Sequence, residues 1–326
     1  MPHKSIFHEE IIMAEKIATR DAYGDELVVL GKENPNIVVL DADLSKSTKT
    51  NVFKKSFPER HFNFGIAEAN MMVAAAGLAS GGKIPFASTF AVFASGRAWE
   101  PIRSSICYPK LNVKIVATHG GITVGEDGAT HQANEDIAIM RALPNMTVIV
   151  PADGIETKKA VRAISEYDGP VYMRLGRSGV PVIFGEDYDF QIGKAATMKE
   201  GTDITLFACG IMTAAALDAA ETLAAEGISA EVINIATIKP LDKEAIIKSA
   251  KKTGCAVSAE EHSIIGGLGS AIAETLVTEF PIPMKMVGIK DTFGESGVPD
   301  KLLEKYGLTA KDIVNAAKEA IKAKQG

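Results

Sequence analysis

The 326-residue chain is poor in cysteine, has one tryptophan, and carries no large excess of charge of either sign. Its three cysteines, Cys107, Cys209 and Cys255, are far apart and show no metal-ligand spacing. They read as reduced thiols rather than a disulfide framework or a metal site, so no metal is assigned to this chain's own residues. No apolar run approaches the roughly 20 residues that a membrane span needs. Met1 to Glu10 is polar and has no apolar signal core, and the expected compartment is the cytoplasm. The net charge of −6 argues against nucleic-acid binding and against a polybasic membrane surface. No internal repeat or low-complexity segment interrupts the chain. What remains is the composition of a globular protein, 46% hydrophobic and 23% charged, with a length that suits about two domains.

The pattern that is present is alternation. Residues 37–40, 113–117, 147–150 and 171–173 read as short buried strands. Residues 11–34, 68–80, 134–141 and 155–167 read as helices between them. Such alternation builds an α/β domain whose parallel sheet is covered by helices on both faces. A second block repeats it, with strands over 204–208, 229–235, 256–260 and 284–289 and helices over 212–226, 243–252 and 270–279. Residues 180–193 read as the linker. The division assigned is 1–185 and 186–326.

One stretch stands out, Phe64-Gly65-Ile66-Ala67-Glu68-Ala69-Asn70. Glu68 opens a helix of small and apolar residues with almost nothing polar behind it. A Glu in a first helical turn commonly complements the macrodipole, at about 0.3–1 kcal/mol. A carboxyl buried against an apolar wall is the sharper reading, because desolvation favours its protonated form and lets it exchange a proton with a ligand. Polar residues also gather where strands end. They are Asp41-Ala42-Asp43-Leu44-Ser45-Lys46-Ser47, Thr118-His119-Gly120-Gly121, the loop Gly125-Glu126-Asp127-Gly128-Ala129-Thr130-His131-Gln132, and Arg174 with Arg177. Each alone fits a turn or a solvated surface. Together they mark the edge at which open α/β sheets bind ligands. Phe90 and Phe93 fit core packing, or a flat platform for a heteroaromatic ring. Ile265-Gly266-Gly267-Leu268-Gly269-Ser270-Ala271 looks like a dinucleotide turn. It lacks the third small residue, since position 272 is Ile, and close helix–strand packing explains it better.

In order, Phe64 to Glu68, Ser88-Thr89-Phe90-x-x-Phe93, Thr118-His119, Gly125 to Gln132, Leu143-Pro144-Asn145-Met146 and Pro151-Ala152-Asp153 resemble transketolase. Glu260-Glu261-His262 and the Gly266–Gly269 turn resemble the C-terminal domain of the same family. The resemblance covers the whole chain, but only the C-terminal half of a full-length transketolase. It implies a thiamine-diphosphate pyrimidine-binding domain followed by a smaller C-terminal α/β domain. It also implies transfer of a two-carbon ketol unit from a ketose phosphate to an aldose phosphate.

By the same resemblance, Glu68 and His131 are the catalytic candidates. Glu68 hydrogen-bonds a pyrimidine nitrogen, Phe90 and Phe93 stack on that ring, Leu44 props the cofactor in its bent form, and Asp43 lies beside it. His131 and Asp127 hold hydroxyls near the reacting carbonyl, and Arg20, Ser47, His119 and Arg177 grip the sugar phosphate. Two departures matter. Gly96 stands where many members carry an aromatic residue. The Gly-Asp-Gly motif that holds the diphosphate and its Mg²⁺ is absent. The resemblance therefore implies a split enzyme. Its cofactor is shared with an N-terminal subunit that mainly holds the Mg²⁺, and this chain dimerises within a heterotetramer. The alternatives are a subunit of a deoxyxylulose-phosphate synthase-like enzyme, disfavoured by Thr118-His119-Gly120-Gly121, a 2-oxo acid dehydrogenase beta subunit, and a non-catalytic regulatory homologue.

Overall fold

A computed structural model of the chain describes residues 15–325. The first residues of the helix expected over 11–34, and of the first domain, lie outside them. Within the described residues that helix is shorter, Thr19–Glu33. Strand β1 (Lys16–Ala18) precedes it and pairs antiparallel with β8 (Gly179–Pro181). Backbone pairing thus claims three residues that propensity gave to the helix, and part of the expected linker as well. The Thr19 hydroxyl then accepts a hydrogen bond from the Gly176 amide at 2.9 Å.

The first sheet has seven strands. They are β2 (Ile37–Asp41), β3 (His61–Asn63), β4 (Ile84–Phe90), β5 (Lys114–Thr118), β6 (Thr147–Ile149), β7 (Val171–Arg174) and β12 (Thr237–Lys239). Their order is β12-β6-β7-β5-β4-β2-β3, all parallel except β12, which runs antiparallel to β6. Successive residues of β2 show why it is buried on both faces. Val38 and Leu40 pack with Met71, Met72 and Ala75, whereas Ile37 and Val39 pack with Tyr23, Leu27 and Phe53.

The sequence pattern places no strand at β4, which contains Pro85, Ser88 and Thr89. Tertiary contacts supply what the pattern lacks. The Ser88 hydroxyl is within 2.7 Å of the Tyr23 hydroxyl, so its polarity is satisfied inside the core.

The second sheet has five strands, β9 (Ala196–Lys199), β10 (Ile204–Ala208), β11 (Ala230–Asn234), β13 (Ala256–Ser263) and β14 (Met284–Ile289). Their order is β14-β13-β10-β11-β9, and only β9 is antiparallel to its neighbour. The expected helices appear as Met212–Ala225, Lys243–Thr253 and Leu268–Glu279, and two more follow, Pro299–Tyr306 and Ala310–Gln325. The second block also lends β12 to the edge of the first sheet, where the Val150 amide donates to the Ala236 carbonyl at 2.7 Å. Among the described residues no helix is long and apolar enough to cross a membrane.

The dinucleotide-like turn is filled from within. The Glu260 carboxylate accepts from the Leu268 and Gly269 amides at 2.7 and 2.8 Å, at the start of helix Leu268–Glu279. The protein's own anion therefore occupies the helix N-terminus that a phosphate would use. A Cβ at Gly267 would lie 2.1 Å from that carboxylate, so the glycine serves close packing.

Candidate active site

Strand register gathers the candidate residues. Asp41 is level with Asn63 on one side and with Ser88 on the other, Phe90 with Thr118, and Ala117 with Arg174. The C-terminal ends of five parallel strands thus share one edge. The chain leaves β2 toward β3 on one side and returns as β4 on the other. This makes β2 a topological switch point, the place where such sheets open a crevice.

Glu68 begins helix Glu68–Ser80 and is only 4% exposed, above a helix face built from Met71, Met72, Ala75 and Ala76. It is not isolated, however. The Arg97 Nη1 donates to Glu68 Oε1 at 3.0 Å. A carboxylate withdrawn from water needs a partner, and a position 29 residues away supplies it. Apolar periodicity along one helix cannot show such a partner.

The same guanidinium lies over the Phe93 ring, 4.1 Å from Cζ to centroid. Phe93 is stacked with Phe90 at 5.7 Å, and Phe90 with the His119 imidazole at 3.8 Å. His131 meets Phe93 and Phe90 edge-on at 5.5 and 6.2 Å. Its Nδ1 is 2.9 Å from the Thr130 hydroxyl. The aromatic pair is therefore a platform walled by two histidines. At Gly96 the departure from the family leaves space, because an added Cβ would meet no atom within 4 Å.

His119 is buried and adopts a positive φ of 60°. Burial, reinforced by Arg20, Arg177 and His131, pushes its pKa down to about 3. It is therefore neutral near pH 7. Arg20 Nη1 lies 3.3 Å from its Nε2. A guanidinium only donates, so Nε2 accepts and Nδ1 carries the proton, donating to the Thr118 hydroxyl at 2.8 Å. Arg20 Nη1 also donates to the Ser47 carbonyl at 3.1 Å. Among the described residues, the buried Arg20 Nε has no hydrogen-bond partner. Burial lowers the Arg20 pKa, Asp21 opposes that, and Arg177 adds to it.

Arg177 Nη1 donates to the Val124 carbonyl and is 3.1 Å from Glu126 Oε2 and 4.0 Å from Asp127 Oδ2. Asp127 thus sits beside Arg177. Asp43 and Leu44 occupy the neighbouring strand end. The Asp43 amide donates to Asn63 Oδ1 at 3.0 Å, and the Leu44 amide to Asp41 Oδ1 at 2.6 Å.

Contacts therefore run unbroken from Glu68 through Arg97, Phe93, Phe90 and His119 to Arg20 and Ser47. Sequence reasoning missed Arg97, which no motif marks. It also passed over Asp41, although that residue lies inside the quoted polar run. The Asp41 carboxylate accepts from the Thr48 and Thr50 hydroxyls at 2.8 and 3.0 Å and so shapes the loop that presents Leu44 and Ser47. Burial raises its pKa, and these bonds hold the rise back.

Known proteins share both domains of this chain. Residues 15–182 match the model of the transketolase pyrimidine binding domain, and residues 193–313 that of the transketolase C-terminal domain. A Methanocaldococcus jannaschii protein with the provisional name transketolase C-terminal section is 54% identical, over 93% of this chain and 96% of its own length. The 6-deoxy-6-sulfo-D-fructose transketolase subunit SqwH of Clostridium sp. is 48% identical, over 94% and 95%. A solved structure described as a split gene transketolase, inactive beta4 tetramer, superposes with a TM-score of 0.88 at 60% identity. That match covers 95% of this chain and all of the other. With both domain models matched in order, the chain belongs to the transketolase family of thiamine-diphosphate enzymes.

Proposed function

We propose that this chain is the C-terminal subunit of a two-subunit transketolase. With an N-terminal subunit it transfers a two-carbon ketol unit from a ketose phosphate to an aldose phosphate. The observation that carries the reading is the run of contacts at the C-terminal edge of the first sheet, beside the β2 switch point. There a buried carboxyl, a phenylalanine platform and two histidines adjoin an arginine with a spare donor.

The residues fit thiamine diphosphate at its pyrimidine end. Glu68 offers a buried carboxyl, and the half-buried Phe93 a ring joined to it through the Arg97 guanidinium. When bound, the cofactor supplies the nucleophilic carbon and the electron sink for carbon–carbon bond cleavage. Glu68 holds a proton at a ring nitrogen, and Phe90 and Phe93 orient the ring. Leu44 and Asp43 support the cofactor from the neighbouring strand end. His131 and Asp127 hold substrate hydroxyls near the reacting carbonyl. Arg20 and Arg177 bind the terminal anion through charge-assisted bonds, with Ser47 and His119 beside them. A neutral His119 can redirect its hydroxyl neighbour without adding charge.

Nothing in the sequence supplies a Gly-Asp-Gly motif. A diphosphate held without its cation would bear its own desolvation cost, so the diphosphate and Mg²⁺ are assigned mainly to the partner. The partner would have about 270–300 residues, on the scale of one to two domains. The assembly would be a heterotetramer of two copies of each chain. The compartment implied is the cytoplasm, in keeping with three buried free thiols. The sulfo-sugar in the name of the Clostridium relative also ends in an anion, which suits the same arginines.

Calorimetry with thiamine diphosphate and Mg²⁺ tests this reading. The isolated chain should bind weakly and transfer no ketol unit, and adding the N-terminal subunit should restore both. Tight binding or transfer by this chain alone would sink it.

A further inference from the structure

Among the described residues, the Arg97 side chain has one ion-pair partner and one ring partner, and both are groups that the proposed function assigns to the cofactor. It pairs with Glu68 Oε1 at 3.0 Å, and its flat guanidinium covers Phe93 at 4.1 Å. A planar, delocalised group that stacks on an aromatic face and donates to a carboxylate satisfies the same two partners as an aminopyrimidine ring would. The geometry points to Arg97 as an internal placeholder, one that occupies the pyrimidine site of the unliganded chain and is displaced when the ring enters. This rests on the reading of the crevice as a pyrimidine site.

Three features support displacement over joint occupancy. First, Arg97 already donates to the Glu68 carboxyl group that a ring nitrogen would have to contact. Second, the Arg97 side chain is about half exposed, at 52%, so it can exchange this contact for water at small cost. Third, Arg97 lies just beyond the end of helix Ala91–Gly96, beside a glycine with open space around it. Glu68 is 4% exposed, and without a partner its charge would be left buried. In this arrangement the chain stays folded and its carboxyl paired until cofactor and partner subunit assemble.

The test measures binding rather than turnover. Thiamine diphosphate with Mg²⁺ is titrated into the complex of this chain with its N-terminal subunit, by calorimetry and by stopped-flow fluorescence. Arg97→Ala should bind roughly three- to thirtyfold more tightly, and faster, because the competing ion pair and ring contact are gone. Arg97→Lys keeps the charge but loses the flat stack, so it should fall between wild type and Arg97→Ala. It carries the test if Arg97→Ala does not fold. In a Glu68→Gln background, Arg97→Ala should gain less, since the pair is already broken. Equal or weaker binding by Arg97→Ala, or by Arg97→Lys in its place, would overturn the placeholder and make Arg97 a contact retained in the loaded site. Absence of binding to the wild-type complex would instead overturn the functional reading on which the placeholder depends.

Discussion

The Glu261 carboxylate, near the end of β13, accepts a hydrogen bond from the Thr123 amide at 2.7 Å. One residue of the second sheet thereby holds the loop that carries Asp127 and His131 in the first. The Gln132 side chain repeats the link, donating from Nε2 to the Glu295 carbonyl at 2.9 Å. Arg174 Nη2 joins both sides, bonded to the carbonyls of Ala133 and Glu261 at 3.0 and 2.9 Å. The C-terminal block therefore holds the loop that carries Asp127 and His131 in place.

Glu68→Gln and Glu68→Ala should leave the fold intact and lower kcat of the reconstituted complex by about 10²–10⁴-fold, the usual worth of a positioned proton donor. Circular dichroism and steady-state rates at saturating cofactor check this. Wild-type kcat in Glu68→Ala would refute the assigned role.

Arg177→Ala should raise KM for phosphorylated sugars about ten- to a hundredfold, as expected for loss of one charge-assisted contact of roughly 1.5–3 kcal/mol. A short unphosphorylated donor should be spared. Because Arg177 also bonds the Val124 carbonyl, equal losses on both substrates would show that its work is to hold the loop.

Stability should fall on acidification in a window set partly by His119. The unfolded imidazole titrates near 6.5 and the folded one near 3. Between those values the unfolded chain binds the extra proton. The contribution is therefore present above about pH 6.5 and is lost as pH falls toward 3. Urea unfolding measured between pH 4 and pH 8 should show this slope, and His119→Gln should flatten it. An unchanged slope would mean that other groups control the acid limb.

Asp136→Ala should destabilise the chain by roughly 3–5 kcal/mol, the cost of stranding a buried ionic partner. Asp136 accepts from Arg174 Nε at 2.9 Å and from the Tyr172 hydroxyl at 2.7 Å, and all three are buried. Denaturant melts give the loss directly. A change below 1 kcal/mol would mean that the core repacks around the freed guanidinium.

Much of this protein was legible before any coordinate. The apolar run 37–40 declares itself because burial on two faces leaves no room for polar residues, and helix Glu68–Ser80 because its small and apolar residues favour helix. The clustering of Asp43, His119, Asp127, His131 and Arg177 after strands marked one edge, because parallel sheets bring those ends together.

Other features depend on partners distant in sequence. Strand Ile84–Phe90 is hidden by Pro85 and its hydroxyls until Tyr23 meets Ser88. Lys16–Ala18 is a strand rather than helix because Gly179–Pro181 pairs with it. The environment of Glu68 was decided the same way. Its burial follows from the helix pattern, but its carboxyl is answered by Arg97, which only the short helix after β4 brings within reach. Hydrophobic periodicity records which face a residue shows to its own element. The identity of the atom opposite is set by how elements pack, and that is decided in the tertiary structure alone.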